Sequence, residues 1–328
     1  MDYVIKHSPE DFFVEEILGH EPDEGEGYTL CWMKKRNIDM FSALRIISER
    51  LKIQSKEIGY AGIKDKVAVT SQNITLPIKT KQSFIGKDED NTEFADGITI
   101  RYIRDVKDRL NPGDLEGNRF NICVRSLTRE RSFDDVKIPN FFGEQRFGKC
   151  NHVIGEMIIK RDFERAALLA MDSQKDGRLI REHLDKDEKD FIGALGRIGG
   201  NILVLFIHAY QSHLWNMILK EIISRRGLDQ ISDNDLIPIP GFSSGGGRFT
   251  EEYRDVLDKE GISERDFIIR EIPKISSEGD NRKALMDISD LSYSFMQDDV
   301  FKDKLMCKIS FSLGKGSYAT TAIDFLFG

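Results

Sequence analysis

The order of structural signals along the chain predicts a strand-rich domain interrupted by an inserted helical one. Three observations carry this. Up to about Gly148 the apolar residues fall in short β-branched or aromatic runs, from about Asn151 the rhythm becomes helical, and after about Asp290 strand character returns. A domain can be inserted in this way because the entry and exit of a compact unit tend to lie close together. The expected division is 1–150, 151–289 and 290–328, and 328 residues are enough for two separate cores.

In the first part, strands are expected at residues 12–17, 28–34, 67–78, 98–103 and 120–124, each bounded by Gly, Pro, Asn or Asp. One helix interrupts them at residues 40–51, where Phe41, Leu44, Ile47 and Leu51 follow helical spacing and Asp39 or Asn37 can cap. The middle part reads as helices at 154–171, 182–195, 204–225 and 251–259. The last reads as a strand at 305–311 and a helix at 318–327. The acidic stretches at 21–26 and 88–90 are expected to be hairpin loops. The loop at Gly245-Gly246-Gly247 lacks the Lys-Ser/Thr of a phosphate loop and reads as flexible.

Composition narrows the function classes. The chain is 40% apolar and 32% charged, and no continuous apolar run approaches the roughly 18 residues of a membrane span. Its N-terminal residues show no basic and apolar leader, so no membrane and a cytoplasmic location are expected. Cys31, Cys123, Cys150 and Cys307 are scattered without CxxC spacing, as for thiols in a reducing compartment. The six histidines form no HExxH, and His208 and His213 are poorly spaced for a metal, so no metal site is expected. The net charge of −8 is unevenly shared: residues 1–150 carry 24 Lys/Arg against 26 Asp/Glu, the remainder 24 against 30. A basic surface for nucleic acid therefore belongs in the first part, where cations cluster at Lys34-Lys35-Arg36, Lys64/Lys66, Arg101/Arg104/Lys107/Arg109 and Arg125/Arg129/Arg131.

Four segments carry polar groups in suggestive places. YAGIKDKVAVTSQ, from Tyr60 to Gln72, sets Asp65 between Lys64 and Lys66 on a turn with Gly62, leading into a β-branched strand. In NPGDLEGNRFNICVR, Asn118 and Phe120 are two apart on a strand and so share a face, which suits a planar base: a ring to stack and an amide to read polar edges. PEDFFVEE puts Phe12 and Phe13 on opposite faces. NFFGEQRFG, from Asn140 to Gly148, holds three Phe, two Gly and Arg146 in nine residues.

With Lys6 ahead of PEDFFVEE, and with AYQSHLWN and FSLGKGSYATT further on, these segments occur in the order found in the TruD family of tRNA pseudouridine synthases, which the chain resembles over nearly its whole length. The resemblance implies an α+β pseudouridine-synthase catalytic domain with a mainly antiparallel sheet and an inserted, mostly helical TRUD domain. It implies tRNA as substrate and isomerisation of the D-arm uridine conventionally numbered 13. Carried over by position, the catalytic aspartate is Asp65, the NxF motif is Asn118 and Phe120, and Phe12 and Lys6 belong to the N-terminal motif beside the site. After Ala319-Thr320 the helix reads TAIDFLFG, without the Arg-Glu often present there, which leaves the terminal helix without an implied role.

The reaction fits these residue types. The N1–C1′ bond of uridine breaks, the base turns over, and C5 bonds to C1′ with loss of its proton. No redox change or transfer to another molecule occurs, so no cofactor is expected. Asp65 is suited either to add to C1′ or to abstract the C2′ proton. Lys6 would place a positive charge beside it. Lys64 and Lys66 would point away from it to phosphates, and Phe120 would stack on the flipped base with Phe12 alongside. A hydrolase using carboxylates would want a second acid, for which Glu57 and Glu144 are the candidates. A monomer is expected.

Overall fold

A computed structural model describes residues 3–83, 93–133, 136–245 and 247–328. The acidic run at 88–90 and Gly246 lie outside them. By contacts the chain forms two units. One comprises residues 1–134, 287–319 and 323–328, the other residues 135–286 and 320–322. The NFFGEQRFG segment, placed with the strand-rich part by sequence, thus groups with the helices.

The first unit is built on strands β1 (Phe12–Leu18), β2 (Glu24–Arg36), β3 (Gly59–Tyr60), β4 (Val69–Pro77), β5 (Glu93–Ala95), β6 (Ile98–Val106) and β7 (Leu115–Leu127). Its helix α1 is Met40–Leu51. The sheet runs β5-β6-β2-β4-β1-β7 and continues into two strands from the end of the chain, with β3 paired to β4 off this path. Every pairing is antiparallel except β1 with β4. Because β4 lies between β1 and β2, the acidic stretch from Glu21 is a crossing connection and not the expected hairpin loop.

Side chains alternate across this sheet. On β2, Cys31, Met33 and Lys35 are buried while Lys34 and Arg36 are exposed. The buried face packs under α1, whose Met40, Ala43, Leu44 and Ile47 meet Cys31, Met33, Ile74, Leu76 and Ile98. Each fully buried Leu, Ile or Met side chain among them contributes about 1.5–3 kcal/mol. Asp39 is the cap: its carboxylate accepts the Ser42 N–H at 3.0 Å. The helix ends as Lys52 turns left-handed, with φ of 54°.

In the second unit, α2 (Asn151–Ile159), α3 (Phe163–Ser173), α4 (Gly177–Leu184), α5 (Phe191–Gly196) and α7 (Thr250–Glu260) accompany α6 (Gly200–Arg226), with a two-stranded ribbon of β8 (Leu236–Ile239) and β9 (Asp280–Lys283). The helix expected at 154–171 is two helices. Arg161 turns left-handed at φ 64° and Asp162 caps the second, accepting Arg165 N–H. The one expected at 182–195 is likewise divided into α4 and α5. Helix α6 is long and apolar enough to cross a membrane by length and composition. Of its apolar window 61% is buried, and Phe206, Ile207, Tyr210, Leu214, Trp215 and Ile218 form the centre of this unit's core. A Cβ on Gly155 would lie 2.1 Å from the Phe206 carbonyl oxygen, so only glycine lets α2 approach α6 this closely. The NFFGEQRFG segment docks on the same helix. Asn216 accepts the Phe142 N–H and donates to its carbonyl, both at 2.9 Å, Trp215 meets the Phe142 ring edge-on, and Arg146 donates to Ser212 Oγ.

The chain then returns to the first unit as β10 (Ile288–Gln297) and β11 (Leu305–Gly314), in the order β10-β11-β7. Strand β10 was not foreseen; its Ser-rich alternate positions lack the apolar signal. Helix α8 (Ala319–Phe327) ends the chain, with the Phe327 ring 5.0 Å from that of Phe133 and near Tyr3. The fold is therefore α+β, with one large and mostly antiparallel sheet.

Candidate active site

Strand register brings the motif residues to one face of the sheet. In the antiparallel pair β1/β7, Phe12 faces Ile122, Val14 faces Phe120, and Glu16 faces Asn118, and directly opposed residues share a face. Val14 also pairs with Thr70 on β4, and Thr70 with Lys35 on β2. One row across the sheet thus reads Lys35, Thr70, Val14, Phe120 and, on β11, Phe311. The segment between β3 and β4 carries Asp65 above this face.

That segment is tied down from several sides. Gln72 Nε2 donates to the Gly62 carbonyl at 3.0 Å, Gly113 N–H to the Ala61 carbonyl at 2.9 Å, and Asn37 N–H to the Ala68 carbonyl at 3.0 Å. Lys35, fully buried, donates from Nζ to the carbonyls of Asp65 and Ile38 at 2.7 Å each and of Lys64 at 3.4 Å. Burial pushes its ammonium down to about 8, against the attraction of Asp65 and Asp39. A Cβ at Gly62 would lie 2.8 Å from Lys64 Nζ and 3.3 Å from Glu16 Oε2, so a side chain there would displace this pair.

Asp65 is reached by Lys6, whose Nζ lies 2.7 Å from Oδ2, and the same ammonium stands 4.1 Å over the Phe12 ring. Lys6 has a left-handed backbone, φ 57°, uncommon for a residue with a side chain. The side chains of Asp65 and Lys6 remain 32% and 18% exposed, so the carboxylate is accessible. Phe12 and Phe120 meet edge-to-face at 6.2 Å, and Phe120 also leans on Phe311 at 5.6 Å. Both rings are largely covered, at 2% and 7% exposure, and are packed against neighbours instead of forming the open stacking platform expected. The Asn118 amide oxygen is buried with no hydrogen-bond partner, as are Thr70 Oγ1 and Gln72 Oε1.

Several cations stand elsewhere than expected. Lys64 does not offer itself to phosphates: its side chain is 4% exposed and its Nζ lies 2.6 Å from Glu16 Oε2, a carboxylate with no exposure. An ammonium that leaves water must keep such a partner. Glu16 also accepts the Asn73 N–H at 3.2 Å, and burial raises its pKa despite Lys64. Arg125 is enclosed by Asp11, Asp298 and Asp299. Lys34 and Arg101, the latter over Trp32, lie on the sheet face opposite Lys35. Lys66 is exposed beside Asp65. Glu57 is bound to Lys79. Lys35 and Glu16 carry no motif that marks them as site residues; their only signal in the sequence is strand alternation, with Cys31 and Met33 and with Phe12 and Val14, which puts both on the buried face. Among the described residues no His, Cys, Asp and Glu cluster is arranged to hold a metal.

Fold and site define a class in which one enclosed but reachable carboxylate stands above a mixed sheet, and comparison with known proteins gives the family. The family model for tRNA pseudouridine synthase D (TruD) matches residues 1–177, 169–243 and 236–324. A protein of Methanopyrus kandleri named "Probable tRNA pseudouridine synthase D" is 31% identical over 364 residues, covering 92% of this chain and 86% of its own. The "tRNA pseudouridine synthase D" of Aquifex aeolicus is 28% identical, over 100% of this chain and 98% of its own. A crystal structure of a TruD-type protein from Methanosarcina mazei superposes with a TM-score of 0.77 at 24% identity, covering 98% of this chain and 93% of the other. The chain belongs to the TruD family of tRNA pseudouridine synthases, isomerases that act on tRNA.

Proposed function

We propose that this protein isomerises uridine 13 in the D arm of tRNA to pseudouridine, with Asp65 as the reacting carboxylate. The observation that carries the proposal is the Asp65 carboxylate itself, paired with Lys6 at 2.7 Å on a backbone held from several sides and still open to solvent. On this reading the strand-rich unit is the catalytic domain, the helical unit is the inserted TRUD domain, and the protein works as a cytoplasmic monomer.

The uridine must leave its stack, at a cost of a few kcal/mol. Asp65 then either adds to C1′ as N1 departs, or takes the C2′ proton to give a glycal. In the first route C5 of the turned uracil bonds to C1′ as the Asp65 carboxylate leaves it; in the second C5 bonds to C1′ as the abstracted proton returns to C2′; in both the C5 proton is then lost to a base and N1 takes up a proton. Lys6 balances the carboxylate before the reaction. Asn118, whose amide oxygen is buried without a partner, would accept a uracil N–H only once the flipped base has entered, and Phe12 and Phe120 pack as an apolar pair on the same sheet face. Lys66, exposed where Lys64 is buried against Glu16, is the lysine that would meet a phosphate.

The test uses an unmodified tRNA transcript incubated with the protein, treated with carbodiimide and copied by reverse transcriptase. A stop at uridine 13 is expected. A stop at a different uridine would overturn the assigned position, and no stop on any tRNA would overturn the activity.

A further inference from the structure

We propose that Lys35 is a positioning residue for Asp65, its buried ammonium holding the backbone of the reactive turn from the sheet beneath. This rests on Asp65 being the reacting carboxylate. Lys35 lies inside the ladder, paired to Thr70 on β4 and to Ile98 on β6, so its Cα is fixed on both sides. Its stem crosses from the sheet to the turn, and its Nζ has three carbonyl acceptors: Asp65 and Ile38 at 2.7 Å and Lys64 at 3.4 Å.

An ammonium has three N–H donors, so all of them find an acceptor, which is the condition for keeping such a group out of water. A turn that needed only packing would be served at lower cost by Met or Leu. The lysine adds a fixed cation whose partners include the carbonyl of the reacting residue itself. The charged groups facing it are Asp65 on the turn, Asp39 at the start of α1, and Lys64, the last answered by Glu16. Since misplacing a reacting group by about 1 Å can cost on the order of 100-fold in rate, a clamp on this carbonyl acts on turnover and not on tRNA binding. Burial lowers the ammonium to about 8, so the clamp weakens as pH rises through that value.

The full-length protein is compared with Lys35→Met and Lys35→Arg. Lys35→Met is expected to lower kcat by about tenfold or more while KM for tRNA stays within about threefold. Its amides at residues 63–68 should exchange hydrogen about tenfold faster, with α1 unchanged. Lys35→Arg keeps a cation that does not titrate below pH 12, so its kcat should exceed that of Lys35→Met and should not show the decline expected of the wild type above about pH 8. A Lys35→Met protein with kcat within about twofold of wild type would overturn the proposal, as would unchanged exchange at residues 63–68. If Lys35→Met does not fold, an alkaline decline in Lys35→Arg identical to that of the wild type overturns it. Failure of the wild type to form pseudouridine would remove the function, whereas the exchange result would still report on the clamp.

Discussion

Replacing Lys64 by Met tests the floor on which the turn carrying Asp65 rests. The side chains of Lys64 and Glu16 are 4% and 0% exposed, and their charged atoms lie 2.6 Å apart. Met keeps most of the stem and removes the ammonium, leaving the Glu16 carboxylate with the Asn73 N–H at 3.2 Å. Breaking a buried pair from one side costs about 3–5 kcal/mol, because the other charge stays buried and unmatched. For a chain with two units this corresponds to a fall in melting temperature of roughly 6–15 °C for the unit concerned. The loss should depend on pH. Burial already raises Glu16 above 4.5, and removing Lys64 takes away two influences that hold it down. Between 4.5 and its raised value the native state keeps a proton that the unfolded chain has lost, so this group's contribution is full below 4.5 and disappears as pH rises through the folded value. The Lys64→Met defect should therefore be largest at pH 8 and shrink toward pH 5, and adding Glu16→Gln should recover most of it. Thermal melts at the two pH values measure this. A defect of less than about 1 kcal/mol at pH 8, or a double variant no more stable than Lys64→Met, would refute the argument.

Lys6→Met should lower kcat by about 100-fold with little change in tRNA affinity, measured by single-turnover kinetics beside filter binding, because the ammonium faces Asp65 and not the solvent. Gly62→Ala should cost about 1–3 kcal/mol in thermal denaturation, since its Cβ would press on the Lys64–Glu16 pair. Burial alone would raise Asp298, but N–H groups of Ser126, Val300 and Phe301, with Arg125, outweigh it and lower its pKa. Its contribution is thus present above pH 3.8 and lost as pH falls through the lowered value, so Asp298→Asn should flatten the acid limb of a melting-temperature profile below about pH 4. Lys35 gives the opposite limb. Between about 8 and 10.5 the unfolded chain holds a proton that the native state lacks, so stability of the wild type relative to Lys35→Met should rise across that range, by on the order of 3 kcal/mol.

The motif residues were legible because each is tied to a local pattern: an acid on a turn, an amide and a ring two apart on a strand, a cap before a periodic helix at Met40–Leu51. What joins them was not. Lys34-Lys35-Arg36 reads as one basic patch, yet the pleat sends Lys35 inward to carbonyls 29 and 30 residues away and Lys34 outward. Lys64 beside Asp65 looked like a phosphate contact because its partner, Glu16, is 48 residues distant. Phe120 was read as a stacking ring, and only the register with Phe12 and Phe311 shows how little of it is exposed. Residues 154–171 carry a continuous apolar rhythm, and the break depends on one left-handed residue and one cap. Burial and pairing across strands are properties of the fold, and a local pattern reports them only through alternation.

The most direct test of the central claim is tritium release from tRNA labelled at C5 of uridine, comparing wild type with Asp65→Asn under conditions where both bind tRNA. The substitution keeps the size of the side chain and removes its charge and basicity. Release by the wild type and none above background by Asp65→Asn is the expected result. Equal release by the two proteins would contradict the assignment of Asp65 as the reacting group.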